Sequence, residues 1–203
     1  EAELAKERTF GGYGIDVDRT IECIDVSDFE LRRDEIDNQI WSAATDIGFF
    51  QVTGHGIDQQ QIDEAFALAE AFFSLPTEVK QRWPLRTGTN SGWEYRAQKR
   101  PSTGTLDQKE SYQITTSRME RLELWPSTDD LAGFRAVMEA FERANWDLAM
   151  RLLGCFARKL GFEDDFFTQR HNPSSPEYQS TLRLLHYLPM SAADLDDRIW
   201  RAG

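Results

Sequence analysis

The three histidines of the chain, His55, His171 and His186, are the side chains best suited to hold a metal or move a proton near neutral pH. They are followed by Gly, Asn and Tyr respectively, so none opens a His-x-Asp, His-x-Glu or His-Glu-x-x-His pattern and no complete metal site is written here. Recruiting His171, His186 and a nearby Asp into an improvised site matches no ligand spacing. The acidic pairs Asp164-Asp165 and Asp196-Asp197 fall in loop-like sequence and read as solvated faces. A Gly-x-x-x-x-Gly-Lys phosphate loop, a Gly-x-Gly-x-x-Gly turn after a strand and a Gly-x-Ser-x-Gly elbow are all missing, which removes the usual nucleotide and hydrolase signatures. What remains is the segment 84–106, where Pro84, Gly88, Gly92, Pro101 and Gly104 predict a long loop without regular structure. Loops of that length in compact domains are often functional, and Trp93, Tyr95 and Arg96 are its chemically interesting members. The plainer reading is a surface loop pinned by one buried aromatic.

The elements that must position these residues are read from periodicity. Ile21 to Val26 is a short strand candidate. Ile36, Ile40, Ala43, Ala44 and Ile47 then put one apolar stripe on a helix from Asp34 that ends at Gly48. Phe49, Phe50 and Val52, closed by Gly54-His55-Gly56, predict a buried strand and a tight turn, in which His55 has a structural role. Asp58 is the expected N-cap of a second helix carrying Ile62, Ala65, Phe66, Ala69 and Phe73, stopped at Leu75-Pro76, with Thr77 capping one further turn. Lys109 to Thr115 reads as a strand. Leu131 to Phe162 is the longest helical pattern, a strut of about residues 131–161 ended by Gly161. Ser180 to Leu188 is a strand by position, and 190–198 is acidic and loop-like.

Composition bounds the function. The 203 residues, 40% hydrophobic and 12% aromatic, can bury one sizeable core. A net charge of −12 argues against a nucleic-acid partner, whose phosphates demand clustered Lys and Arg. No run of about 18 apolar residues exists, so no membrane partner is expected. Cys23 and Cys155 sit in apolar contexts and read as reduced core thiols, which points to a cytoplasmic protein. The chain starts without Met and stops at Arg201-Ala202-Gly203 without a helix stop or polar tail, so it reads as cut from a longer protein.

Six segments, in this order, resemble the iron(II)- and 2-oxoglutarate-dependent dioxygenases of the isopenicillin N synthase-like family. They are Ile24-Asp25-Val26-Ser27, Gly48 to Ile57, Phe72 to Lys80, Asp107-Gln108-Lys109-Glu110, Leu124-Trp125-Pro126, and Leu184 to Pro189. The resemblance implies an α+β chain: an N-terminal arm (1–20), an N-terminal helix and strand region (21–178), and the first part of a double-stranded β-helix or jelly-roll barrel (179–203), apparently truncated. It implies Fe(II), 2-oxoglutarate and O2 as cofactor and cosubstrates, with iron on two His and one Asp. Those ligands are expected beyond Gly203, so no metal ligand is assigned within this chain. An incomplete barrel would leave the strands at 21–26, 49–55, 109–115 and 180–188 without partners.

The implied activity is oxidation of a small-molecule substrate by hydroxylation, desaturation or cyclisation, in secondary metabolism. The alternative is a non-catalytic relative, or a stand-alone N-terminal module that binds. Tyr187 matches the family position that faces the site and contacts 2-oxoglutarate or substrate; His186 takes that role if the register shifts by one, since alternation lets only one point inward. Asn90, Trp93, Tyr95 and Gln113 occupy the region where relatives contact substrate. Arg96 is the candidate for a substrate carboxylate, which a guanidinium binds bidentately. Lys109-Glu110 and Trp125-Pro126 read as packing signals.

Overall fold

A computed structural model describes residues 18–98, 106–175 and 177–189. In chain order it contains β1 (Glu22–Asp25), α1 (Arg33–Asp46), β2 (Phe50–Thr53), α2 (Gln59–Phe73), α3 (Thr77–Lys80), β3 (Gly92–Tyr95), β4 (Lys109–Ile114), α4 (Thr116–Met119), α5 (Phe134–Lys159) and β5 (Leu182–Tyr187), with a 3-10 turn at Thr168–His171. The arm at 1–17 and the acidic stretch 190–203 lie outside the described residues. The chain divides into two compact units. Among the described residues one holds 18–74 and 125–180, the other 75–124 and 181–189.

The first unit begins as a β-α-β element. Strands β1 and β2 pair in parallel, Glu22 opposite Phe50 through Asp25 opposite Thr53, and α1 makes the crossover that a parallel pair requires. The apolar stripe of α1 closes a core of Ile24, Val26, Phe29, Ile36, Ile40, Ala43 and Cys155, against which Leu152 and Phe156 of α5 pack. An ion pair crosses the same interface: Arg158 donates from Nε to Asp37 Oδ2 and from Nη2 to Asp37 Oδ1, both at 2.6 Å. Burial pushes the Asp37 carboxyl up, but these bonds and the Cys155 thiol outweigh it and hold the group below its ordinary value. The turn after β2 has to be Gly54, at φ +64, because a Cβ there would sit 2.3 Å from Asp25 Oδ1. Asp25 in turn accepts from the backbone N–H and hydroxyl of Ser27 at 2.9 and 2.8 Å. Asp58 caps α2 as expected, accepting from Gln60 N at 2.9 Å.

The second unit is built on an antiparallel sheet ordered β3-β4-β5. Its registers run Gly92–Gln113 to Tyr95–Glu110, and Lys109–Tyr187 to Ile114–Leu182. Four sequence expectations are corrected by the structure. The segment 84–106 is not wholly loop: Gly92 to Tyr95 is a strand, because Trp93 and Tyr95 are strand formers and Gly92, at φ +112, lets the chain pass where a Cβ would lie 2.4 Å from Pro84 O. The strands expected to lack partners are all paired, in one parallel pair and one three-stranded sheet. Thr77 lies inside α3 and makes no cap; Pro76 precedes it as N-cap. In the first unit Cys23 is exposed rather than a core thiol, since β1 turns that residue away from the helices, whereas Cys155 is buried.

Candidate functional site

The β3-β4-β5 sheet gathers most of the residues that sequence reading singled out, and its register sorts them onto two faces. Residues directly opposite across antiparallel strands share a face. One face carries Trp93, Tyr95, Glu110, Tyr112, Leu184 and His186; the other carries Gly92, Glu94, Ser111, Gln113, Arg183, Leu185 and, at the end, Lys109 opposite Tyr187.

The first face is organised by Glu110, only 2% exposed. Lys80 Nζ of α3 and Trp93 Nε1 of β3 each donate to its Oε2 at 2.7 Å. His186 Nδ1 of β5 lies 2.9 Å from Oε1; a carboxylate only accepts, so Nδ1 is the protonated nitrogen. The Lys80 ammonium also sits 5.5 Å over the Trp93 ring. Burial raises the Glu110 carboxyl, but the bonds from Lys80, His186 and Trp93 outweigh it and hold the group ionised below its ordinary value. Tyr112 donates its hydroxyl to Leu124 O, and burial pushes its own phenol well up. Trp93, Tyr95 and His186 therefore lie on a face bound to a buried framework. His186 and Tyr187 alternate as strand geometry demands, and the structure joins His186 to Glu110.

The second face is polar and partly open. Glu94 Oε1 accepts from Ser111 Oγ at 2.7 Å, Gln98 Nε2 at 3.1 Å and Gln113 Nε2 at 3.2 Å, with Arg183 Nη2 at 3.8 Å. Lys109 Nζ reaches Gln98 Oε1 at 2.9 Å and Asp107 Oδ2 at 3.1 Å. Tyr187 is 71% exposed and Leu185 43%. At the two ends of β3 stand non-glycine residues with left-handed backbones, Asn90 (φ 50) and Arg96 (φ 47). Residues so placed are costly and cluster at functional sites. The Asn90 carbonyl is tied down by Thr115 Oγ1 at 3.0 Å. Arg96 donates its backbone N–H to Lys109 O at 2.9 Å, yet its buried Nε has no partner among the described residues.

Of the predicted site residues, the structure thus brings Gln113 and Tyr187 to the polar face, sets Asn90 and Arg96 at its margin, and puts Trp93, Tyr95 and His186 on the opposite face. Sequence reading missed Glu94, Ser111 and Arg183. Their signal was alternation with Trp93, Tyr112 and Leu184, hidden at β3 by the density of Gly and Pro around it.

A metal does not fit the described residues: among them no three His, Cys, Asp or Glu side chains converge. His55 Nδ1 accepts from Ile57 N at 3.1 Å within its turn, and His171 Nδ1 lies 3.1 Å from Ser180 Oγ. Among the described residues, no helix is long and apolar enough to cross a membrane.

Several known proteins are similar to this chain. The family described as non-haem dioxygenase in morphine synthesis, N-terminal, matches residues 21–128. Proline hydroxylase buaE of Petromyces alliaceus is 31% identical over 187 residues, covering 86% of this chain and 57% of its own. A 2-oxoglutarate-dependent dioxygenase of Didymella fabae is 31% identical over 178 residues, covering 78% and 52%. A full-length Neurospora crassa protein, solved in complex with alpha-KG and thymine, superposes with a TM-score of 0.70 at 25% identity, over 85% of this chain and 57% of that one. A putative 2OG-Fe(II) oxygenase family protein from Caulobacter crescentus shares the fold, with a TM-score of 0.62 at 23% identity, over 86% and 59%. The chain spans about half the length of the curated relatives it matches. With the N-terminal family match at residues 21–128 covering more than half of its residues, this chain belongs to the non-haem 2-oxoglutarate-dependent dioxygenases.

Proposed function

We propose that this chain forms one wall of the substrate chamber of an Fe(II)- and 2-oxoglutarate-dependent oxygenase that uses O2 to hydroxylate, desaturate or cyclise a small organic molecule of secondary metabolism. The observation that carries the reading is the polar face of β3-β4-β5, mounted on the Glu110 framework, in a chain of dioxygenase ancestry. On this reading the three strands are part of a double-stranded β-helix whose iron ligands lie outside the described residues. Iron, when bound, supplies the oxidising chemistry; the residues here bind, orient and exclude water. Tyr187, exposed beside Lys109, is assigned to 2-oxoglutarate or to substrate next to it. Arg96, whose buried Nε lacks a partner among the described residues, is assigned to a substrate carboxylate, with Asn90 and Gln113 lining the approach. The names of the relatives, a proline hydroxylase and a structure holding thymine, support small polar substrates.

The test is 2-oxoglutarate-dependent oxygen uptake and succinate release by the full-length protein with added iron(II). Uptake stimulated by a small-molecule substrate supports the reading. A protein that binds a small molecule yet consumes no 2-oxoglutarate supports instead a non-catalytic relative.

A further inference from the structure

We propose that Glu94 is a substrate-recognition residue whose carboxylate oxygen Oε2 accepts a hydrogen bond from an amine of the substrate; the proposal rests on the oxygenase reading above and narrows its substrate class. The Glu94 side chain is only 9% exposed. All of its hydrogen bonds converge on one oxygen, Oε1, from Ser111, Gln113 and Gln98. Among the described residues Oε2 receives none. A carboxylate offers about four acceptor positions over its two oxygens, so Oε2 remains open to a donor from outside the chain.

The same sheet holds a reference case. Glu110, more fully buried than Glu94, uses both oxygens, Oε2 for Lys80 and Trp93 and Oε1 for His186. Glu110 also has a direct cation at 2.7 Å, whereas the cation nearest Glu94 among the described residues, Arg183, stays at 3.8 Å, beyond hydrogen-bond reach. Glu94 Oε1 is thus held by neutral dipoles and paired with Arg183 at 3.8 Å, while Oε2 receives no donor among the described residues. A ligand that brings both a donor and a positive charge completes this group in the way Lys80 completes Glu110.

The register adds the shape of the ligand. Glu94, Ser111 and Leu185 stand directly opposite one another in a row across the three strands, and Tyr187, opposite Lys109, follows two residues along β5. Leu185 and Tyr187 are the exposed apolar members of this face. Two strand spacings of about 4.8 Å separate Glu94 from Leu185, so the face suits a ligand about 10 Å long with an amine at one end and an apolar body at the other. Ser111 and Gln113 act as positioning residues, fixing the Glu94 rotamer so that Oε2 remains the open oxygen.

The test is saturation-transfer NMR titration of the full-length protein with two probes, benzylammonium and benzyltrimethylammonium. The second keeps ring and charge but has no N–H. Wild type is expected to bind benzylammonium at least about tenfold more tightly, the worth of one charge-assisted hydrogen bond. Glu94→Gln is expected to lose that advantage and to bind both probes alike. Equal binding of the two probes by wild type, or undiminished preference in Glu94→Gln, overturns the proposal. The wild-type comparison requires no variant to fold. Binding of 2-oxoglutarate by wild type is read separately: if it is present without amine preference, only the Glu94 assignment fails, and if it is absent, the oxygenase reading fails.

Discussion

Glu110 shows what removing one carboxylate from water demands: an ammonium, an indole N–H and an imidazole N–H from three different elements. Breaking a buried pair by removing one member costs far more than the pair itself contributes, because an uncompensated charge remains. Lys80→Met is therefore expected to destabilise the protein by about 3–5 kcal/mol, read from the urea midpoint at constant slope. A double variant that also replaces Glu110 with Leu should recover part of that loss. Tyr187 is the opposite case. With the residue 71% exposed, Tyr187→Phe should change stability by less than about 0.5 kcal/mol. If the hydroxyl contacts the cosubstrate, the same variant should raise the KM for 2-oxoglutarate by about tenfold, one hydrogen bond's worth. An unchanged KM removes Tyr187 from the site.

At the scale of elements, α1 and α5 are joined by an apolar seam and by the Asp37–Arg158 fork. Both Asp37 and Glu110 have carboxyls held below their ordinary values in the fold. Such groups contribute stability that is fully present above the unfolded value, about pH 4, and is lost as pH falls through the lower folded value. The melting temperature should therefore hold from neutrality down to about pH 5 and decline below about pH 4; Asp37→Asn should be less stable at neutral pH and show a shallower acid decline. A parallel decline in wild type and variant would remove Asp37 from the effect. Strand β3 makes a second prediction: Gly92→Ala forces a Cβ within 2.4 Å of Pro84 O at φ +112, for an expected loss of about 1–3 kcal/mol in thermal or urea unfolding. Helices α1, α2 and α5 were legible because their apolar residues recur at helical spacing and their ends carry Asp58 and Gly161. Strand β3 was not, because local propensity around Gly88, Gly92 and Pro101 favours a loop and only pairing with β4 overrides it. The site suffered the same way: Tyr187 and Gln113 were reachable from strand position, whereas Glu94 becomes visible only when its row across the sheet is known.

For the whole molecule, the chain supplies a supported β-sheet wall with a polar face, and its family supplies the expectation of iron and 2-oxoglutarate. That expectation is the central claim, and it is tested most directly by anaerobic addition of iron(II) and 2-oxoglutarate to the full-length protein, followed by visible absorption. The expected result is a weak charge-transfer band that requires both iron(II) and 2-oxoglutarate, and a Tyr187→Phe protein that needs more 2-oxoglutarate to reach it. A full-length protein that stays colourless and binds neither would contradict the account and leave the fold as that of a non-catalytic relative.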